Sequence, residues 1–121
     1  MSLIRRLSPM NSLILISDSV GKTPPNFVIG EPISASEESV AISVLMCFDG
    51  ETQVTFGLAS EAARDGRPDF DGHLNTPTHE VVVWTVEWEK IFVQRVAGAR
   101  TRIRIWLNRR QEPDDIVITV G

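Results

Sequence analysis

Arg100-Thr-Arg-Ile-Arg-Ile-Trp-Leu107 is the stretch of sequence that identifies the fold most clearly. Its side chains alternate between two sets, with Thr101, Ile103, Ile105 and Leu107 in one and Arg100, Arg102, Arg104 and Trp106 in the other. A period of two places successive side chains on opposite faces of a pleated β-strand. Similar β-rich runs precede it at residues 80–86 and 90–96. We therefore predict that this last third of the chain forms strands around which the others are added.

Length and composition are those of one globular domain. The chain has 121 residues, of which 42% are hydrophobic and 23% are charged. A chain of this size can bury enough apolar surface to fold without a metal or a disulfide. We expect a single domain over residues 12–121, preceded by a loose N-terminal extension over residues 1–11.

The balance of charge and cysteine narrows the class of protein. A formal net charge of −4 argues against a surface built throughout for nucleic acid, because phosphate binding depends on basic charge. The single cysteine, Cys47, cannot form an internal disulfide, which favours a reducing, cytoplasmic location. The apolar run at residues 13–16 is too short for a membrane span or a signal core, so no membrane association is predicted.

Residues 40–58 have the pattern of a β-hairpin. Asp49-Gly50 suits a two-residue type I′ turn, and β-rich runs flank it at residues 40–48 and 51–58. The first run is apolar on both faces, whereas the second is apolar on one. Either a deep position in a sandwich or an oligomer interface would explain the difference.

The rest of the chain adds short strands and turns. We expect strands at residues 12–17 and 116–120, a helical turn at residues 59–64 with Ser60 as its cap, and tight turns at Asp71-Gly72 and Gly98. About seven to nine short strands with turns at regular spacing are typical of a β-sandwich or a small barrel. We predict an all-β protein, specifically a single-domain β-sandwich of mainly antiparallel strands with little or no helix.

The residue types for catalysis or metal binding are sparse. The most suggestive group is Asp69, Asp71, His73 and His79, although its spacing does not fit a calcium-binding EF-hand loop. The chain also lacks the Gly-x-Ser-x-Gly motif of a nucleophilic serine. We therefore predict no catalytic residue, no metal and no cofactor. A small metal-dependent hydrolase that uses the loops at residues 69–79 is the alternative.

Basic residues are concentrated near the carboxyl terminus. Residues 90–111 contain no acid, but they include seven basic residues: Lys90, Arg95, Arg100, Arg102, Arg104, Arg109 and Arg110. Arginine beside tryptophan on a strand surface can bind carboxylate or phosphate and stack on rings. The predicted binding surface is Arg100, Arg102, Arg104 and Trp106. A protein partner or self-association as a homodimer is favoured over nucleic acid, and neutralisation of the arginines by Glu80, Glu87 and Glu89 is the alternative.

The carboxyl-terminal half resembles a known family. The residues concerned are Asn75-Thr-Pro77, the strands from Glu80 and Lys90, the turn at Gly98, Arg102-Ile-Arg-Ile-Trp-Leu107 and Asp115-Ile-Val-Ile-Thr-Val120. In this order they resemble competence protein J (ComJ)-like β-sandwich proteins. Members of that family are associated with inhibition of a partner nuclease, so the resemblance implies an inhibitor-like protein-binding module rather than an enzyme. It covers less than half of the chain and transfers no site residue.

Overall fold

Two mainly antiparallel five-stranded sheets form the protein. The structure is a computed structural model that describes residues 2–20 and 23–121. In spatial order, the first sheet contains β1 (Leu3–Leu7), β5 (Thr52–Leu58), β10 (Asp115–Val120), β9 (Arg100–Leu107) and β6 (Phe70–Asn75). The second contains β3 (Ile33–Ala35), β4 (Ser39–Ser43), β2 (Leu13–Ser17), β7 (Glu80–Trp84) and β8 (Lys90–Arg95). The prediction of an all-β sandwich is confirmed, with ten strands in the described residues against the seven to nine expected.

The core lies between the two sheets and takes side chains from both. Ile103 and Ile105 of β9 are fully buried there, as their alternation with arginine indicates. Phe56 of β5 stacks on Phe92 of β8, with ring centroids 5.2 Å apart. Burying such side chains is the main favourable contribution to folding. In β9 the core therefore determines which face is left for solvent, whereas β2 and β7 are buried on both faces.

The amino-terminal segment differs from the loose extension expected for residues 1–11. Strand β1 lies within that segment and pairs antiparallel with β5, from Leu3 opposite Phe56 to Leu7 opposite Thr52. Leu7 also packs against the core. β1 satisfies backbone groups on one side of β5, while β10 pairs with its other side in the parallel direction.

The predicted hairpin at residues 40–58 is wrong. β4 ends at Ser43 and belongs to the second sheet, whereas β5 belongs to the first. Residues 44–51 cross between the sheets, and the Val44 and Leu45 amides donate to Ser12 and Pro113 carbonyls rather than to β5. Asp49 does not have the positive φ that a type I′ turn requires. Residues 40–42 are buried on both faces, because Val40 and Ile42 join the core between the sheets and Ala41 packs in a second cluster with Trp84.

The short helix follows the sequence prediction only in part, and the predicted turn at Asp71-Gly72 is wrong. A short helix, α1 (Ala59–Ala62), occupies the expected position, but its cap residue is Leu58 rather than Ser60. Asp71-Gly72 is not a turn, because it lies inside edge strand β6. A side chain at position 72 would meet the Phe70 ring at 2.7 Å, which explains the glycine there. In the described residues, no helix is long and apolar enough to cross a membrane.

Candidate partner-binding site at one end of the sandwich

The arginines of β9 lie on the outer face of the first sheet. Arg100 and Arg102 are exposed, and the residues that alternate with them, Thr101 and Ile103, are buried. The flanking strands are β6 and β10, so any acid that pairs with these arginines across the sheet must come from one of those strands.

Arg102 has such an acidic partner. Its Nε and Nη2 donate to the two carboxylate oxygens of Asp71 on β6, at 2.8 Å and 2.6 Å. This bidentate bond, with the positive charge beside it, lowers the pKa of Asp71 below its usual value. The same bond raises the pKa of Arg102. Asp71 therefore holds one edge of the guanidinium and leaves the other edge available.

Arg104 and Trp106 are less open than the sequence suggests. Arg104 is half-buried, and its Nη2 donates to the Gly121 carbonyl at 3.0 Å, while its Nε is buried without a partner among the described residues. Trp106 is only 8% exposed. Its Nε1 donates to the Gly66 carbonyl at 3.2 Å, so the segment after α1 covers the ring. Neither side chain extends the open part of the basic surface.

Arg95 and Arg100 remain without acidic partners. Both are exposed, and neither guanidinium forms an ion pair within the part of the chain that the structure describes. Glu80 lies opposite Arg95 in the pairing of β7 with β8, yet no ion pair joins them. Arg102 is thus the arginine of the predicted stripe that a carboxylate neutralises. That carboxylate belongs to Asp71, not to Glu80, Glu87 or Glu89.

These arginines surround a cavity of about 450 Å³ at one end of the sandwich, where β5, β8 and β10 end and β9 begins. We call this region the basic end. The cavity is lined by Leu58, His73, Arg95, Val96, Ala97, Gly98, Arg100, Thr101, Arg102, Val120 and Gly121. Among the described residues that line it, three are arginines and none is an aspartate or a glutamate. Leu58 and Val96 supply its accessible apolar surface, whereas Val120 is fully buried behind them, so the cavity combines positive charge with an apolar wall.

The residues of the alternative metal site are not gathered for metal binding. Asp71 is bound to Arg102, and Asp69 accepts a 2.7 Å hydrogen bond from the Leu107 amide. His73 lines the basic cavity, whereas His79 lies in a turn with φ of 58°. Among the described residues, no group of three or more His, Cys, Asp or Glu side chains could hold a metal ion.

The opposite end of the sandwich exposes apolar side chains instead. We call it the apolar end and define it by Met10, Met46 and Phe48, which line a second cavity of about 410 Å³ together with Cys47. These three side chains are 55%, 50% and 91% exposed. Hydrogen bonds from the Val44 amide to Ser12 and from the Leu45 amide to Pro113 hold this region against neighbouring loops.

Sequence reasoning missed several residues of the basic cavity. The sequence places Arg95 in the basic run and predicts strands at Leu58, Val96 and Val120. It does not indicate that these four residues share a site. The run of basic residues from Lys90 onward was the available signal. It could not show that the turn at Gly98 passes from one sheet to the other and closes a cavity against the ends of β5 and β10.

Two solved structures resemble this one, although no protein-family model and no curated protein sequence matches the chain. One is ComJ from Bacillus subtilis, described as an inhibitor of the DNA degrading activity of NucA, with a TM-score of 0.67, 10% identity, and coverage of 98% of this chain and 93% of that chain. The other is described as crocagin biosynthetic gene J, with a TM-score of 0.52, 16% identity and coverage of 98% and 94%. At these identities the likeness shows a shared fold. The predicted resemblance to ComJ is confirmed at that level, and it extends over nearly the whole chain.

Proposed function

We propose that this protein is a non-catalytic, inhibitor-like module that binds an acidic region of a partner protein through its basic end. The carrying observation is the cavity whose described lining contains three arginines and no aspartate or glutamate. Arg95 and Arg100 have no ion pair within the described chain, so their charges are available to a partner. The exposed alternate positions on β9 that the sequence indicates contribute Arg100 and Arg102 to this surface.

The shared fold with ComJ supports the inhibitor-like part of the proposal. ComJ is described as acting on another protein, the nuclease NucA, rather than as an enzyme itself. We extend this mode of action to the present chain and propose that its partner is an enzyme whose activity falls on binding. A reducing compartment, which the single Cys47 favours, is the proposed location.

Guanidinium groups suit this task for a physical reason. A planar guanidinium binds a carboxylate through two parallel hydrogen bonds, which gives direction as well as attraction. Charge complementarity also accelerates encounter, and salt screens it. Binding through the basic end should therefore weaken as ionic strength rises.

The test is a pull-down from lysate of the source organism with three baits. These are the wild type, an Arg95→Ser/Arg100→Ser variant, and a control Arg109→Ser/Arg110→Ser variant that removes the same charge from the loop at residues 108–114. We expect the wild type and the control to retain one stoichiometric protein at low salt that the first variant loses. With the purified partner, calorimetry should show about 30-fold weaker binding for the first variant, equivalent to about 2 kcal/mol from lost charge-assisted hydrogen bonds.

The enzymatic part is tested on the captured protein. Its activity, with DNA degradation assayed first, should fall when the wild type is added and should recover when the Arg95→Ser/Arg100→Ser variant replaces it. Equal retention by all three baits would contradict the proposed surface. Hydrolysis by the purified chain itself, lost on His73→Ala and dependent on an added divalent metal, would instead support the hydrolase alternative.

A further inference from the structure

The cavity at the basic end is an open cleft, and it differs from a simple charged stripe because apolar residues line it beside the arginines. Resting on the proposed function, we propose that it receives a carboxylate on an apolar stem, presented by the partner as an acidic side chain beside an apolar residue or as a carboxyl terminus. The arginines at its rim would bind the carboxylate. The stem would lie against Leu58 and Val96.

The size and the lining of this open cleft suit a small anionic group that carries an apolar stem. The cavity of about 450 Å³ lies within the range of clefts that enclose ligands. Its wall includes Leu58, which is 37% exposed and therefore has apolar surface left to bury. A carboxylate alone would leave that wall in contact with water, whereas an apolar stem would cover it.

The three arginines line the same cleft and differ in how firmly each is held. Arg95 and Arg100 are unpaired within the described chain, and Arg102 is fixed by its bidentate bond to Asp71. Because Asp71 occupies Nε and Nη2, the Nη1 side of Arg102 is the part left for a ligand. A guanidinium that is already held in place loses less conformational freedom on binding.

The same lining disfavours nucleic acid. Proteins that bind single strands combine a basic groove along several phosphates with aromatic side chains on which bases stack. No Phe, Trp or Tyr lines this cavity, and Trp106 is covered by the segment that contains Gly66. A single open basic cleft with an aliphatic wall fits a protein carboxylate better than a polyphosphate chain.

Peptide probes test the cavity without the partner. The probes are an acetylated and amidated pentapeptide Gly-Leu-Glu-Phe-Gly, its Gln counterpart, and the tripeptide Gly-Leu-Phe with a free or an amidated carboxyl terminus. Binding is followed by amide chemical shifts of the isotope-labelled wild-type protein. We expect saturable shifts at residues 95–102 and 120–121 with a carboxylate-bearing probe, and at least tenfold weaker binding of its neutral counterpart. The stronger of the two carboxylate probes identifies its source.

Two variants separate charge from space. Arg100→Gln should weaken binding of the carboxylate probe about tenfold, and raised salt should weaken binding to the wild type in the same direction. Ala97→Phe fills the cavity without changing charge and should also weaken binding at least tenfold. Ala99→Phe adds the same bulk in the same turn at an exposed position outside the lining, and it should bind as the wild type does.

Three results would overturn the inference: no saturable shift with any carboxylate probe, equal binding of neutral and charged probes, or tighter binding of inorganic phosphate or a short single-stranded oligonucleotide at the same amides. Failure here is distinguishable from failure of the proposed function. If the partner needs Arg95 and Arg100 but binds Ala97→Phe normally, the function stands and the cavity inference fails. If no partner protein is retained while the acidic probe binds, the cavity inference stands and the proposed function fails.

Discussion

The two ends of the sandwich present opposite chemistry on one scaffold. The basic end has a cavity lined by Arg95, Arg100 and Arg102, whereas the apolar end exposes Met46 and Phe48. The strands between them are held by a core shared by both sheets. Because that core comes mainly from the strand faces, with Val44 contributed by a connection, most residues at either end are free to meet other demands. Binding function is therefore expected at the ends rather than on the sheets.

The phenylalanines show the contrast in one residue type. Phe56 is 1% exposed and stacks on Phe92, so it joins the two sheets. Phe48 is 91% exposed and is absent from the core. An exposed aromatic side chain beside another exposed apolar one contributes little to folding and is typical of a contact surface.

The largest expected effect on stability comes from removing the buried ring of Phe56, compared with removing the exposed ring of Phe48. Phe56→Ala should lower the free energy of unfolding by about 3–5 kcal/mol, since it leaves a cavity between the sheets. Phe48→Ala should change it by no more than about 0.5 kcal/mol. Urea unfolding of both variants measures the difference. A similar loss for both would mean that residues 44–51 pack more closely than the structure shows, and the contrast between the ends would fail.

Strand identity was predictable from sequence where one side of a strand meets the core. In β9, the alternation of isoleucine with arginine indicates both the strand and its buried face, and both are found. Which strands lie next to each other in a sheet was not predictable in the same way. Asp49-Gly50 has the local chemistry of a hairpin, but β5 gains β1 on one side and β10 on the other, so tertiary pairing overrides the turn signal.

The site was predictable in its charge and not in its shape. Arg100 and Arg102 emerge on the outer face as expected, but Trp106 is covered by the segment after α1, whose position depends on long-range contacts. Asp71 was assigned to a turn, although it belongs to a strand beside β9 and there binds Arg102. Recognising this ion pair from sequence would have required knowing that β6 and β9 are neighbours.

A second prediction sharpens the comparison through self-association. The sequence-based expectation of a homodimer is most easily met at the apolar end, because burying Phe48 against a second copy would contribute about 1.5–3 kcal/mol. Phe48→Ser should therefore lower the dimer association constant about tenfold or more in sedimentation velocity. The Arg95→Ser/Arg100→Ser variant should associate as the wild type does. If the wild-type protein stays monomeric up to its solubility limit, the expectation of a homodimer is wrong.

The smallest expected effect is that of replacing Asp71, whose carboxylate pairs with Arg102 and partly neutralises the basic end. Asp71→Asn removes one negative charge and weakens the hold on Nε and Nη2 of Arg102. Loss of the competing negative charge should outweigh loss of the restraint on Arg102, so affinity for an acidic partner or probe should rise by a few fold. The gain stays small because solvent and salt screen exposed charges. Calorimetry at low salt measures the gain. Weaker binding would show instead that Asp71 positions Arg102, and Asp71→Glu should then restore part of the loss.

The same substitution has a signature in pH. Because Arg102 lowers the pKa of Asp71 in the folded protein, the ionised carboxylate stabilises the fold above its unfolded pKa of about 3.9. That contribution disappears as the pH falls through the lower folded value, when the carboxyl group becomes protonated. The stability difference between wild type and Asp71→Asn should thus be constant near neutral pH and shrink in acid. A difference that stays constant into strong acid would mean that the ion pair does not form in solution, so that Arg102 is already as free to bind an anion as Arg95 and Arg100 are.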